Sequence, residues 1–102
     1  MIKFLKGLFQ KENTGMKEAL SQGAVIVDVR TKDEFRQGHI AGSKNIPLNE
    51  IKQKLEGIRG WNKPVITVCR SGNRSAIAKN ILKAGGIDVY NGGAWNRMDV
   101  GK

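Results

Sequence analysis

One short segment of this 102-residue sequence combines a nucleophile with positive charge. Cys69 is the single cysteine of the chain, and Arg70 and Arg74 follow it closely. A thiolate is a strong nucleophile, and nearby cations and backbone N–H groups lower the pKa of the thiol that forms it. Gly72 has no side chain that would prevent a loop from wrapping its N–H groups around the sulfur. The segment is therefore a candidate thiolate site that would act on an anionic, electrophilic centre.

The segments on either side of Cys69 predict where this thiol lies. Residues 65–68 are a strand-like apolar run, and residues 76–83 have helical periodicity. A turn from a strand into a helix is where parallel α/β sheets place their chemistry, and the helix dipole there favours an anion. A buried cysteine that only fills the end of the strand is the alternative. The remaining loop residues are expected to act through backbone amides and helix capping: Ser71, Asn73 and Ser75.

Strand-like and helix-like segments alternate along the whole chain. Strands are expected at 24–29, 44–46, 65–68 and 87–90. Helices are expected at 14–20, from a capping box at Thr31–Glu34 to Gly38, at 49–56 and at 76–83. The alternation predicts a three-layer α/β fold, with a parallel or mostly parallel sheet of four to five strands and helices on both faces.

Two finer predictions concern the second half of the chain. The helix at 76–83 is expected to turn four side chains toward the sheet: Ala76, Ile77, Ile81 and Leu82. The Asn91-Gly92-Gly93 sequence is expected to form a turn into a last helix that contains Trp95.

Length and patterning predict a short extension followed by one domain. Residues 1–12 are expected to form an amphipathic extension, and residues 13–102 a single domain. The extension is interpreted as a helix docked on the domain, with a surface or membrane contact as the alternative. No run approaches about 18 apolar residues, so no membrane span is expected. The interrupted apolar N-terminus and the single cysteine favour the cytoplasm.

The charge balance indicates the kind of partner. Eighteen Lys and Arg against nine Asp and Glu give a formal net charge of +9, scattered along the chain. Such a field attracts small anions. Nucleic-acid binding is the alternative, but aromatic residues are few and no recognition motif is visible. No His and Cys cluster has the spacing of metal ligands, so no metal is expected.

Three further residues have polar side chains that could take part in chemistry. Asp28 and Arg30 lie at the end of the first core strand, on the same side of a parallel sheet as Cys69. Arg30 is a candidate for binding the anionic substrate, and a structural ion pair with Asp28 is the alternative. His39, the only histidine, is expected to form a turn-stabilising hydrogen bond rather than to act in catalysis.

The sequence resembles a single-domain rhodanese, a thiosulfate sulfurtransferase homology domain, over residues 13–99. The motifs that carry the resemblance are Val27-Asp28-Val29-Arg30, the run from Glu34 through Gly38-His39-Ile40-Ala41-Gly42 to Pro47, the loop from Cys69 to Ser75, and Gly92-Gly93-Ala94-Trp95. The resemblance implies a doubly wound sheet and a cysteine that cycles through a persulfide, with no separate cofactor. It also implies that Arg70 and Arg74 bind the sulfonate oxygens of the donor, and that the loop amides hold the persulfide.

The resemblance implies sulfur transfer from thiosulfate or a similar donor to cyanide, a thiol or a protein acceptor. Four residues separate Cys69 from Arg74, whereas the related loop of protein tyrosine phosphatases is one residue longer and fits a phosphate. Sulfur transfer is therefore favoured over phosphate-ester hydrolysis or arsenate reduction. A non-enzymatic persulfide relay or regulatory module that docks on a protein partner is the alternative. The chain is expected to be a monomer or a weak homodimer.

Overall fold

A four-stranded parallel sheet forms the centre of the protein, in the order β2-β1-β3-β4. The computed structural model describes residues 15–98. In chain order the elements are α1 (15–21), β1 (Val25–Asp28), α2 (Lys32–Gln37), β2 (Lys44–Asn45), a 3-10 helix (Leu48–Glu50), α3 (Leu55–Gly60), β3 (Val65–Cys69), α4 (Asn73–Ala84) and β4 (Val89–Ala94). The two central strands are the long apolar runs of the sequence, and every residue of β3 is buried.

The sheet has a hydrophobic core on each face, as expected of strands whose successive side chains point in opposite directions. On one face, Val27 and Val65 pack in the same cluster as Leu82 of α4 and Ile58 of α3. On the other face, the core is formed around α1 by Ala19, Ile26, Ile66 and Val68. The predicted three-layer α/β fold with helices on both faces is thus confirmed.

The predicted capping box at the start of α2 is also confirmed. The Thr31 hydroxyl accepts a hydrogen bond from the Glu34 N–H at 3.2 Å, and the Glu34 carboxylate accepts one from the Thr31 N–H at 3.0 Å. The helix ends at Gln37, with Gly38 as its C-cap. Because this box fixes the first turn of α2, it also fixes the direction of the Glu34 side chain.

Three local predictions are wrong. Residues 48–54 form the 3-10 helix and turns, and α3 begins only at Leu55, whereas a helix was expected over 49–56. Ile51 in this segment is fully buried. Residues 91–93 continue β4, and residues 95–97 form a turn where a helix containing Trp95 was expected.

The inner face of α4 differs from the prediction in part. Leu82 is buried and Ile81 packs against the same core, as expected. Ser75 and Ala78 are buried as well, whereas Ile77 is 51% exposed. The helix phase is set by Ser75, which faces Cys69, and a residue two positions later points about 200° away.

The proposed extension at residues 1–12 lies outside the described residues. Within residues 15–98, no helix has the length and apolar character needed to cross a bilayer.

Candidate active site

Cys69 is the last residue of β3, and the loop that follows it leads directly into α4. Gly72 is the N-cap of α4 and has a φ of 104°, a left-handed conformation that strains residues with a side chain. This conformation turns the loop back toward the sulfur. The thiol is therefore at the carboxyl end of a central strand and the amino end of a helix, as the sequence predicts.

The sulfur of Cys69 is fully buried and surrounded by hydrogen-bond donors. The N–H groups of Gly72 and Ser75 point at Sγ from 3.0 and 3.4 Å. The Ser75 hydroxyl oxygen lies 3.4 Å from the same atom and accepts from the thiol. Burial raises the pKa of the thiol, but hydrogen bonds from Ser75 and from the Gly72 and Ser71 N–H groups outweigh it and lower the pKa below its ordinary value. The site thus favours a negatively charged sulfur.

Asn91 supports this loop from β4, and sequence reasoning did not identify it. Its amide Nδ2 donates to the Gly72 carbonyl at 3.2 Å, and its Oδ1 accepts from the Ser75 hydroxyl at 2.6 Å. Asn91 reaches the loop just before a β-bulge, where the register against β3 shifts and Gly92 is the extra residue. The signal in the sequence is the Asn-Gly-Gly run, which fits a bulge as well as a turn.

Arg74 forms a bidentate ion pair with Glu34 rather than lying unpaired beside the sulfur. Its two terminal nitrogens contact the two carboxylate oxygens at 2.7 and 3.0 Å. The pKa of Glu34 is lowered to about 2, first by this pair and then by the Thr31 N–H. The pair connects α2 to α4, and it uses the part of the guanidinium that would otherwise bind a substrate anion.

Arg30 is buried and has several protein partners. Its Nε and Nη2 bind the Asp28 carboxylate at 2.9 and 2.7 Å, and Nη2 also donates to the Gly38 carbonyl at 2.7 Å. Its guanidinium lies 4.5 Å from the centre of the Trp95 ring, a cation–π contact. The structural ion pair with Asp28 is therefore present.

Arg70 differs from the other two arginines, because its side chain is exposed. Within residues 15–98 it makes no hydrogen bond or ion pair with another residue. It lines an open cavity of about 350 Å³ next to the loop. The other lining residues are Arg30, Glu34, Gln37, Gly38, Trp95 and Asn96. Arg70 is thus the arginine of the loop that is best placed to meet an incoming anion.

The remaining candidate residues of the loop have exposed side chains. The Ser71 N–H helps to lower the pKa of the Cys69 thiol, and Asn73 begins α4. The Nδ1 of His39 lies 2.7 Å from the Phe35 carbonyl, and its ring stacks on that of Phe35. This hydrogen bond is the turn-stabilising role predicted for His39.

Comparison with known proteins places the chain in a family. The family model for the rhodanese-like domain matches residues 12–96, and the chain therefore belongs to the rhodanese-like domain family. The chain is 42% identical to YqhL of Bacillus subtilis over 69 residues, which cover 67% of this chain and 54% of YqhL. It is 36% identical to the thiosulfate sulfurtransferase PspE of Escherichia coli over 66% of each chain. It thus spans little more than half the length of YqhL.

A solved structure shares the fold. The rhodanese with anions from E. coli superposes with a TM-score of 0.67 and 32% sequence identity, over 76% of this chain and 95% of that protein. This chain, with its central sheet and helices on both faces, therefore has the rhodanese fold.

Proposed function

We propose that this chain is a sulfurtransferase that carries a sulfane sulfur on Cys69. The main support is the geometry at Sγ, where the N–H groups of Gly72 and Ser75 point at a buried sulfur with a lowered pKa. Membership of the rhodanese-like family and similarity to a thiosulfate sulfurtransferase support the same reaction. A reducing compartment such as the cytoplasm would keep the thiol available.

The proposed reaction has two nucleophilic steps. The Cys69 thiolate attacks the outer sulfur of thiosulfate, a sulfur–sulfur bond forms to Sγ, and sulfite leaves with the electron pair of the broken bond. The product is a cysteine persulfide anion, which the loop N–H groups stabilise. Cyanide or a thiolate acceptor then attacks the outer sulfur, and Cys69 leaves as a thiolate. No separate cofactor is needed, because the cysteine itself carries the sulfur.

The arginines have different parts in this proposal. Arg70 binds the sulfonate oxygens of the donor, because it is exposed and without a partner among residues 15–98. Arg74 contributes positive charge while paired with Glu34. Arg30 adds positive charge to the site from a buried position, where it forms an ion pair with Asp28. The N–H groups of the loop, including those of Ser71 and Ser75, hold the persulfide.

Intact mass measurement after incubation with thiosulfate tests the proposal. We expect a gain of one sulfur atom, which cyanide removes as thiocyanate. Cys69→Ser, which replaces only the sulfur, should keep the fold and gain no mass. Absence of the adduct with thiosulfate and with other sulfane donors would refute the proposal, as would an adduct that persists in Cys69→Ser.

A second candidate function is a persulfide relay or regulatory module for a protein partner. The net charge of +9 and the exposed Arg70 favour it, because both suit an acidic protein surface. Slow turnover with cyanide and small thiols, together with fast sulfur transfer to one protein, would favour the relay. Fast turnover with small acceptors alone would favour the enzyme.

A further inference from the structure

We propose that Ser75 and Asn91 form a hydroxyl switch behind Cys69. In this switch, Ser75 donates its one hydroxyl proton to Asn91 when the sulfur is protonated, and to the sulfur when it is ionised. Ser75 touches the reacting atom and is a catalytic residue, whereas Asn91 acts through Ser75 and is a positioning residue. The consequence for turnover rests on the proposed function, but the switch itself concerns only the thiol.

The orientation of the Asn91 amide is fixed by two backbone groups. The Gly93 N–H needs an acceptor and points at Oδ1 from 2.9 Å, and the Gly72 carbonyl needs a donor and receives Nδ2 at 3.2 Å. A flipped amide would place two donors together and two acceptors together. The atom that faces Ser75 is therefore an oxygen, which can only accept.

A single proton must then serve two acceptors. With Asn91 Oδ1 at 2.6 Å, the Ser75 hydroxyl donates to the amide, and its oxygen accepts the thiol proton of Cys69 at 3.4 Å. A thiolate has no proton to donate, so Ser75 must rotate its hydroxyl toward Sγ to stabilise the charge. After this rotation Oδ1 still accepts from Gly93, so no buried group loses its last partner. Ser75 is fully buried, so water does not compete for either bond.

The bulge in β4 makes this arrangement possible. Thr67 of β3 pairs with Asn91, and Val68 pairs with Gly93, so Gly92 has no direct partner. The extra residue turns the Gly93 N–H back onto the side chain of Asn91. A regular strand would direct that N–H into the ladder with β3, and Oδ1 would lose the partner that keeps it satisfied when Ser75 rotates.

Charged groups around Cys69 also influence the ionisation of its thiol, in addition to the switch. Arg74 of α4 interacts with the sulfur electrostatically, and it is paired with Glu34 of α2. Arg30 pairs with Asp28 at the end of β1, and Arg70 directly follows Cys69 in the chain. None of these groups bonds to the Ser75 hydroxyl, so the switch can be tested while they stay unchanged.

The switch has a use in both steps of the proposed reaction. The thiolate that attacks the donor needs the Ser75 proton, and so does the thiolate that leaves when the acceptor takes the outer sulfur. In the resting thiol, Asn91 holds that proton away from the sulfur. Asn91 therefore opposes ionisation of Cys69, and Ser75 favours it.

The rate of Cys69 alkylation by iodoacetamide, measured against pH without any sulfur donor, tests the switch. Ser75→Ala removes the donor and should slow alkylation about tenfold at a pH below the thiol pKa. Asn91→Ala frees the proton for the sulfur. It should therefore raise the alkylation rate in the wild-type protein several-fold more than it does in the Ser75→Ala variant. Asn91→Asp, a stronger acceptor in the same place, should reverse the sign of this coupling. Asn80→Ala, an exposed asparagine change on α4, is the control and should leave the rate unchanged.

The coupling between the two positions separates the switch from a structural role. If Asn91 only braces the Gly72 loop, Asn91→Ala changes the rate by the same factor in the wild type and in the Ser75→Ala variant, and the proposal is overturned. An unchanged rate in a folded Ser75→Ala protein overturns it as well. If Asn91→Ala does not fold, the Asn91→Asp cycle decides alone. If the protein accepts no sulfur from any donor, the proposed function is refuted. The alkylation rates of these variants, which test the switch, do not depend on that result.

Discussion

Replacing Glu34 with glutamine separates two roles of one side chain. Glu34 completes the capping box of α2 by accepting from the Thr31 N–H, and it pairs with Arg74 of α4. Glutamine also serves in a capping box, because its amide oxygen accepts the same bond. Glu34→Gln therefore removes the charge that binds Arg74 and keeps the cap, so its effect on stability measures the link between α2 and the sulfur loop.

The magnitude follows from the pKa of Glu34, which is lowered to about 2 from an ordinary value of 4.5. The full difference corresponds to roughly 3 kcal/mol of stabilisation when the carboxyl is ionised. Part of it belongs to Thr31, and the two side chains keep 34% and 30% of their exposure, so solvent screens the pair. We therefore expect Glu34→Gln to lower the free energy of unfolding by about 1–2 kcal/mol at neutral pH.

The pH dependence has a definite sign. A carboxyl whose pKa is lowered by folding stabilises the protein fully above its unfolded pKa of 4.5, and the stabilisation is lost as pH falls toward 2. Urea unfolding followed by tryptophan fluorescence should thus show a large difference between wild type and Glu34→Gln near neutral pH and little near pH 2. Glu56→Gln, an exposed carboxylate on α3, is the matched control and should change little. An equal difference at both pH values, or equal effects of the two variants, would refute the reasoning.

Two further changes test the site and its supporting strand. Arg70→Ala should raise KM for thiosulfate about tenfold with little loss of stability, because this exposed side chain offers charge to the anion and packs against little. Lys63→Ala, at the opposite end of β3, is the control and should leave KM unchanged. Equal KM values for the two variants would contradict the role of Arg70. Gly92→Ala should lower the free energy of unfolding by about 1–3 kcal/mol, because the new Cβ would lie 2.9 Å from side-chain atoms of β3. Gly57→Ala meets nothing within 4 Å and should cost nothing in the same denaturant titration, so similar losses in both would contradict this explanation.

The parts of the fold that local sequence determines could be predicted. The strands β1 and β3 are buried on both faces, so their apolar runs are nearly uninterrupted. Such runs show no helical repeat that would indicate a different structure. The capping box is a contact between residues three apart, so its spacing is visible in the sequence. The position of Cys69 between a strand and a helix follows from the same local signals, and so does the convergence of loop N–H groups on its sulfur.

The errors and omissions concern features that depend on distant residues. Ile51 and Leu55 have helical spacing, but turns with bonds between residues three and four apart give nearly the same periodicity. Ile77 is exposed because the contact between Ser75 and Cys69 fixes the phase of α4. The partner of Arg74 is 40 residues away, so no local pattern reveals that this arginine is paired.

The contacts of Arg30 constrain how this chain can be recombined with its relatives. Its guanidinium joins the end of β1, the two ends of α2 and the residue after β4, through Asp28, the Glu34 and Gly38 carbonyls, and Trp95. A chimera that takes one of these segments from another protein without the others leaves a buried cation with an incomplete set of partners, which is strongly destabilising. Crossover points for family shuffling should therefore keep residues 28–38 as one block and retain an aromatic residue at position 95.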